Sequence, residues 1–488
     1  MAQNQNHCLT RRSKMRRDKL FGLIDLNLRF ELTQFKLIRW LFKSRWFPLL
    51  ALLFNLAMFM VILMAGFLGG YAAGNYNFGI MLVWILWWVM LMFLLVPFFA
   101  RSWCMVCPFP IFGDWLQRGR LFIVKQGKPG GLSLKWPKAL KNMWVMNILF
   151  LFTTFFSGFF TVRPFATFVL LGGIIILAFI IGLIFEKRSF CLYVCPVSGF
   201  QGLYAQFAMS EIRRKDFEIC KKHTPKTCFV GNEKGYGCPW CLTPFDFNKN
   251  TYCGMCLECF KTCPHDNMAF NLRPPGVDLL VDTPREPKGL DEAWKAFIML
   301  GIAIVFFLGF QGPWGFMKDM LRAVTWSGYL GYIAFHVVFN LLVIPGVFFI
   351  FAWLSKLLSG NKDVSLKKVF VSFAYTLIPL GLGVWIAFSL GIILPNGSYL
   401  LHVISDPFGW GWNLFGTAHF PWTPVFTGIL GYLQGAVLII VYLFSLAYGF
   451  RLSQLVYPDL AQAKRGWLPI LTFLTGITIL FLWLFIGM

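Results

Sequence analysis

Nine long apolar blocks constrain this chain more than any other feature. They lie near 48–70, 78–100, 143–161, 165–185, 296–312, 328–355, 369–394, 426–449 and 467–487. A hydrocarbon layer ~30 Å thick needs about 20 apolar residues per crossing helix. Only 13% of the 488 residues are charged, too few to cover a soluble protein of this size. The expected fold is an all-α polytopic membrane protein with about nine transmembrane helices.

The formal charge of +23 invites a nucleic-acid reading, but the placement of the cations argues against one. Arg11, Arg12, Lys14, Arg16, Arg17 and Lys19 precede the first block, and Arg101, Arg118, Arg120, Lys125, Lys128, Lys135, Lys138 and Lys141 fill the second connection. Lys356, Lys362, Lys367 and Lys368, then Arg451, Lys464 and Arg465, recur at alternate connections, whereas 71–77 and 395–425 hold no Lys or Arg. Only 313–327, with Lys318 and Arg322, fits less well. Alternation of this kind is the positive-inside pattern, and basic loops also attract anionic lipid headgroups. It predicts a multi-pass protein of a bacterial inner membrane with a cytoplasmic N-terminus and an extracytoplasmic C-terminus. No compact apolar run marks a cleaved signal. Residues 28–47 mix Phe30, Phe35, Trp40 and Phe42 with Lys36, Arg39, Lys43 and Arg45, which suits an interfacial amphipathic helix or a basic flank to the first span.

One polar interruption, 187–295, is long enough to be a domain. The chain divides into a basic amphipathic segment (1–47), a four-helix membrane module (48–186), a cytoplasmic ferredoxin-like iron–sulfur domain (187–295) and a five-helix membrane module (296–488). Within the inserted domain Cys253, Cys256, Cys259, Cys263 and Pro264 form Cys-x2-Cys-x2-Cys-x3-Cys-Pro. That spacing is the bacterial ferredoxin ligand run for [4Fe–4S] clusters. Zinc also takes four thiolates, but its sites usually pair two separated Cys-x2-Cys knuckles.

Cys8 stands alone near the terminus and reads as an ordinary thiol. The other twelve cysteines all fall in connections assigned to the cytoplasm: Cys104, Cys107, Cys191, Cys195, Cys220, Cys228, Cys238, Cys241, Cys253, Cys256, Cys259 and Cys263. Disulfides prefer the opposite, oxidising side, so clustered thiols here point to metal ligation. Four ligands per cubane allow up to three clusters, and in two-cluster ferredoxins the cysteine before proline serves the neighbouring cluster. Cys238 and Cys263 both precede proline. Two intertwined clusters are therefore expected among Cys220, Cys228, Cys238, Cys241 and the 253–263 run. Cys104-x2-Cys107-Pro108 and Cys191-x3-Cys195-Pro196 follow the second and fourth apolar blocks, on one side of the membrane. They suit a third cluster, a redox-active dithiol or inert small residues.

The segments RSWCMVCPFP and FCLYVCPVSGFQGLYA, followed by the ferredoxin run, resemble the membrane polyferredoxins of the NapH, NosR and CcoG type over roughly residues 80–275. The resemblance implies a ferredoxin-like cytoplasmic domain and Cys-x3-Cys-Pro motifs at helix ends. It also implies a role as quinol dehydrogenase (oxidoreductase) subunit, electron donor or cofactor-assembly factor. Cys191 and Cys195 match the motif; Cys104 and Cys107, two residues apart instead of three, depart from it. The C-terminal five helices lie outside the resemblance.

The apolar blocks hold no Asp, Glu, Lys or Arg deep inside, which argues against a pump. His336 is the one histidine well inside a block. It suits a quinone carbonyl, or a packed histidine, better than a haem, for which no second ligand is offered. The connection 398–422 gathers His402, Asp406, Trp410, Trp412, His419 and Trp422. It reads as an aromatic interfacial belt or as a quinone or partner contact. Lys221, Lys222, Lys226 and Lys261 suit an acidic carrier or a lipid face. The expected function is electron transfer between the quinone pool and a redox partner: a soluble ferredoxin-like carrier, a cytochrome or a reductase subunit. The alternatives are an assembly factor that reduces a partner's metal centre and a redox subunit without turnover of its own.

Overall fold

The computed structural model describes residues 19–69, 74–118, 130–311 and 315–486. Cys8, the N-terminal basic run through Arg17, and Arg120, Lys125 and Lys128 lie outside the described residues.

Eight helices among the described residues are long and apolar enough to cross a membrane. They are Trp46–Leu68, Phe78–Phe99, Pro164–Ile184, Leu290–Phe310, Trp326–Ser359, Leu366–Asn396, Thr427–Val456 and Leu460–Ile486. The remaining expected span, 143–161, is a 12-residue helix, Trp144–Phe155, that breaks at Phe156 and resumes over Ser157–Phe160. Thr153 and Thr154 donate their hydroxyls to the carbonyls of Phe150 and Leu151, three residues back. Such back-bonding competes with the helical ladder and bends the chain.

Hydrogen bonds sort the helix ends onto two faces. On one face Gly74 N donates to Val162 O (2.9 Å) and Asn75 Nδ2 to Asn396 Oδ1 (2.9 Å). On the other, Met143 N donates to Asp291 Oδ2 (2.7 Å), Gly289 N to Tyr375 Oη (3.0 Å) and Arg451 Nη2 to Lys19 O (3.1 Å). The broken segment must therefore run from the second face to the first, and its 17 residues reach about 25 Å at 1.5 Å each.

Leu290–Phe310 and Leu366–Asn396 are the central helices, with 78% and 67% of the residues in their most apolar stretch buried, against 22% for Trp46–Leu68. Trp385 locks the pair: its indole Nε1 donates to Met299 O (3.1 Å), and its ring meets Trp88 and Phe306. The first central helix begins at Leu290, earlier than the apolar block, and so carries Asp291, Glu292 and Lys295. This corrects the expected start of the span, 296, while leaving its interior without Asp, Glu, Lys or Arg. Glu292 is buried and accepts from Tyr375 Oη (2.5 Å) and Gln206 Nε2 (3.1 Å). Lys295 is fully buried, with its ammonium 4.2 Å from the Phe150 ring centre and no hydrogen-bond acceptor among the described residues. Polar neighbours at a helix start look like loop in a sequence, which is why the boundary was misplaced.

On the second face lies a small domain built on antiparallel strands Ser210–Arg214 and Met268–Leu272, with Ser210 opposite Leu272 and Arg214 opposite Met268. Phe30–Glu31 adds to the free edge of Met268–Leu272. Residues 28–35 are thus part of this domain, and the expected amphipathic helix is shorter, Lys36–Lys43. Its Phe42 packs against Phe260 and Phe270, while Leu37 and Trp40 stay exposed. A buried ionic network ties the domain together. Arg273, 4% exposed, donates to Glu211 (2.8 Å) and to Asp278 (2.8 Å), and Arg29 donates to Glu211 (2.7 Å).

Candidate iron–sulfur centres

The two cysteine pairs at helix ends meet. After Phe78–Phe99 the chain turns at Ala100, whose φ is 54°, into the short helix Trp103–Val106 carrying Cys104. Cys107 is extended, as a residue before proline is biased to be. After Pro164–Ile184 it turns at Lys187, φ 55°, into Ser189–Tyr193 carrying Cys191. Cys195 is the first flanking residue of the helix Pro196–Tyr204, where Pro196 is set for the first helical position. The thiols of Cys104, Cys107, Cys191 and Cys195 lie close enough that each acts on its neighbours. Arg188 fastens the two halves: Nη1 donates to Cys104 O (2.8 Å), while Nε and Nη2 donate to Asp114 Oδ2 (3.0 and 2.7 Å). Burial pushes the Asp114 carboxyl up, but Arg188 and then Arg118 outweigh it and hold it below the usual range.

A second group lies directly beyond. Cys238, Cys253, Cys256 and Cys259 line one apolar cavity with Ile212, Trp240, Leu242, Pro244, Phe247 and Leu257. The loop wraps this cavity through two strained residues, Met255 (φ 51°) and Leu257 (φ 63°), a geometry that persists only where surroundings over-determine it. Gly254 is required here, because a Cβ would fall inside the Trp240 indole. Cys259 is acted on by Cys256, Cys253, Cys238 and also Cys228, which begins the third group.

In that third group Asn267 holds two sulfurs: its side-chain amide donates to Cys220 Sγ (3.1 Å) and its backbone N–H to Cys263 Sγ (3.3 Å). Thr227 Oγ1 donates to Thr262 O (2.7 Å), which fastens the residue before Cys228 to the residue before Cys263. The cysteine before each proline thus joins the other run, as the ferredoxin pattern predicts. Cys241 is the exception. It is exposed, and the charges that act on it are Lys187, Glu186 and Lys141 instead of another cysteine. A φ of 52° turns its residue away one step after the Trp240 wedge.

The donors fit iron–sulfur cubanes. Among the described residues no three His, Cys, Asp or Glu side chains converge closely enough for a single metal ion, whereas a cubane spreads its ligands around a cage. Backbone N–H groups two residues on face several sulfurs: Phe109 for Cys107, Trp240 for Cys238, Met255 for Cys253 and Glu258 for Cys256. Such donors favour thiolate and tune cluster potential. Burial nevertheless dominates in the metal-free state, pushing Cys195 up to about 12 and Cys256 and Cys228 up to about 11. The sign follows directly. Thiols that ionise later in the folded chain than in the unfolded one stabilise the fold below the ordinary thiol pKa, and that contribution is lost as pH rises. Cluster-free protein should therefore lose more thermal stability between pH ~9 and ~12 than cluster-loaded protein, the buried tyrosines Tyr193 and Tyr252 contributing to both. Equal losses in melting curves of the two forms would refute this.

Several residues that matter here were not singled out in the sequence. Arg101 and Arg188 each precede a cysteine of the helix-end pairs by three positions, and that repeated Arg-x2-Cys was the available signal. Trp240 lies between the first two groups, with Arg101 4.5 Å and Arg188 6.0 Å from its ring centre. Other expected residues sit elsewhere. Asp406 caps a turn by accepting from Trp410 N (2.9 Å) and Gly411 N (2.8 Å), and His402 packs edge-on against Tyr76. Trp410 and Trp412 pack on Phe408, while His419 and Trp422 are exposed. His336 bonds Thr154 Oγ1 (3.0 Å) among Phe155, Phe306 and Tyr332. Lys261 pairs with Glu258 (3.0 Å) and Lys226 turns inward onto the Cys220 and His223 carbonyls, which leaves Lys221 and Lys222 as the exposed cations of that set.

Eight apolar helices together with thiol groups of this geometry define a multi-pass membrane iron–sulfur protein. A family model described as a 4Fe-4S binding domain matches residues 80–129 and 166–219, and each stretch contains one of the helix-end cysteine pairs. No curated protein and no solved structure matches the chain.

Proposed function

We propose that this protein carries single electrons between the quinone pool and a redox partner, in the manner of the membrane polyferredoxins it resembles, with its iron–sulfur face in the bacterial cytoplasm. The observation that carries this reading is continuity. The helix-end group, the Cys238/Cys253/Cys256/Cys259 group and the Cys220/Cys228/Cys263 group adjoin in series: Trp240 packs in one apolar cluster with Cys104, Cys191, Cys195 and Cys238, and Cys228 lies close enough to act on Cys259.

A [4Fe–4S] cluster, when bound, supplies reversible one-electron chemistry. The chain's own residues set the conditions for it. Apolar packing around Cys104, Cys191, Cys195 and Cys238 excludes water. Arg101 and Arg188 place fixed positive charge between the first two groups, which favours the more negative, reduced state. Lys221 and Lys222 remain exposed beside Cys220, where a partner with an acidic face would dock. Buried thiols at Cys104 and Cys191 suit ligation better than a solvent-facing dithiol, which needs access and a lowered pKa.

The test is reduction of the purified, cluster-loaded protein by a quinol, followed by absorbance and electron paramagnetic resonance. Reduction is expected. Trp240→Leu should keep its iron but pass electrons to the outer clusters more slowly. Clusters that stay oxidised with excess quinol and a competent acceptor would sink the quinol reading.

A further inference from the structure

Among the described residues the Cys220/Cys228/Cys263 group is one thiolate short. Cys220, Cys228 and Cys263 are brought together by Asn267 and by the Thr227–Thr262 bond. The remaining cysteine of that region, Cys241, is exposed and sits among Lys187, Glu186 and Lys141. The complete run reads Cys253-x2-Cys256-x2-Cys259, with Cys263-Pro264 lent to its neighbour. The incomplete run reads Cys220-x2-His223-x4-Cys228, with Cys238-Pro239 lent in exchange. A histidine stands where the complete run has its second cysteine.

We propose that His223 is the fourth ligand of the outermost cluster, which is thus held by Cys220, Cys228, Cys263 and one imidazole. The local geometry suits that role. His223 follows the helix Phe217–Lys222 that carries Cys220 and is only partly exposed. Its Nδ1 lies 3.2 Å from His265 Nε2, and His265 is two residues past Cys263. Ligating histidines commonly use their second nitrogen to bond an orienting group. Its Nε2 contacts Thr227 Oγ1 at 3.2 Å, one residue before Cys228, so that nitrogen already faces the segment that bears a ligand. Thr227 gives its hydroxyl hydrogen to Thr262 O, so Nε2 donates to Thr227 in this arrangement; to bind iron the neutral ring carries its proton on Nδ1 instead, where it donates to His265 Nε2 and keeps the ring oriented.

The consequence is electronic. A neutral imidazole in place of a thiolate leaves the cluster one negative charge poorer, and histidine for cysteine replacement raises the potential of iron–sulfur centres. This cluster is then more oxidising than the same cluster held by four thiolates. It would accept an electron the more readily at the end beside exposed Lys221 and Lys222.

This inference rests on the relay reading only in needing a cluster at the outer site, and it is tested on the full-length, cluster-loaded protein. The measurements are iron and sulfide per chain, pulsed electron paramagnetic resonance and a redox titration. Wild type should show strong nitrogen hyperfine coupling on one reduced cluster. His223→Cys should abolish that coupling, keep the iron count and move that cluster's midpoint negative. His223→Ala should lose between about one and about four irons, and His265→Ala should keep its iron. Cys228→Ser supplies the control. If it costs about four irons while His223→Ala and His223→Cys change neither spectrum nor midpoint, the histidine ligand is wrong and the outer cluster stands. If Cys228→Ser costs no iron, there is no outer cluster, and both the ligand and the three-group relay fail.

Discussion

Cys256→Ser should remove one whole cluster: iron and sulfide fall by about four each per chain, and one paramagnetic signal disappears. Cys256 lines the same cavity as Cys238, Cys253 and Cys259. The hydroxyl that replaces its sulfur is a poor soft-metal donor. It also sits where burial and the nearby Glu258 carboxylate already oppose a negative charge, with Arg188 as the weaker counterweight. The neighbouring groups keep their own ligands, so the loss should stop at one cluster. Cys241→Ser is the contrasting variant. Its thiol is exposed and outside all three groups, so its iron should equal wild type. Unchanged iron in Cys256→Ser, or lost iron in Cys241→Ser, would overturn the assignment of thiols to groups.

Arg188→Met should destabilise the folded protein by about 3–5 kcal/mol, the range for stripping one partner from a buried ion pair. Arg188 and Asp114 are each 8% exposed. Without the arginine, Asp114 keeps only Arg118, 4.0 Å away, and Cys104 O loses its donor. The Cys104 turn is then free to leave the Cys191 turn, and iron bound between them should be lost at lower temperature. Removing both charges, Asp114→Leu with Arg188→Met, should recover much of the stability, because no uncompensated carboxylate remains. It should not recover the anchoring of Cys104. Thermal melts followed by circular dichroism and by cluster absorbance separate the two effects. A double variant no more stable than the single one would show that the arginine acts by packing instead of charge.

Much of this architecture is legible in the sequence. Eight of the nine expected spans are helices long and apolar enough to cross a membrane, and the ninth is the broken segment ending at Phe160. The misplaced start of Leu290–Phe310 has a specific cause. Asp291, Glu292 and Lys295 look like connection in a linear reading, yet Gln206, Tyr375 and Phe150 from distant segments cover them. Phe30–Glu31 reads as amphipathic helix or basic flank because its mixed pattern carries no strand signal. Its strand partner lies some 240 residues on, at Asn271 and Leu272.

The candidate site divides along the same line. The ferredoxin run named its own chemistry, since Cys253, Cys256 and Cys259 at fixed spacing carry three ligand positions of one site in local backbone. The irregular run did not, and Cys241 shows why: one positive-φ turn after Trp240 takes its sulfur out of reach. Arg101, Arg188 and Trp240 act only through neighbours that the sequence leaves far apart.

What the sequence by itself determined is the solvent and the chemistry: a bilayer, because apolar length is a local property, and thiolate ligation, because valence belongs to the residue type. Which sulfurs share a site was decided by tertiary structure, although the prolines after Cys238 and Cys263 already pointed to an exchange between the runs. Cys104 meets Cys191 and Cys195 because two helices end on one face and Arg188 joins their turns. Cys238 meets the 253–259 run because Trp240 fills the space that Gly254 leaves open. A ligand set is a set of distances, and distances between remote residues exist only once the chain has packed.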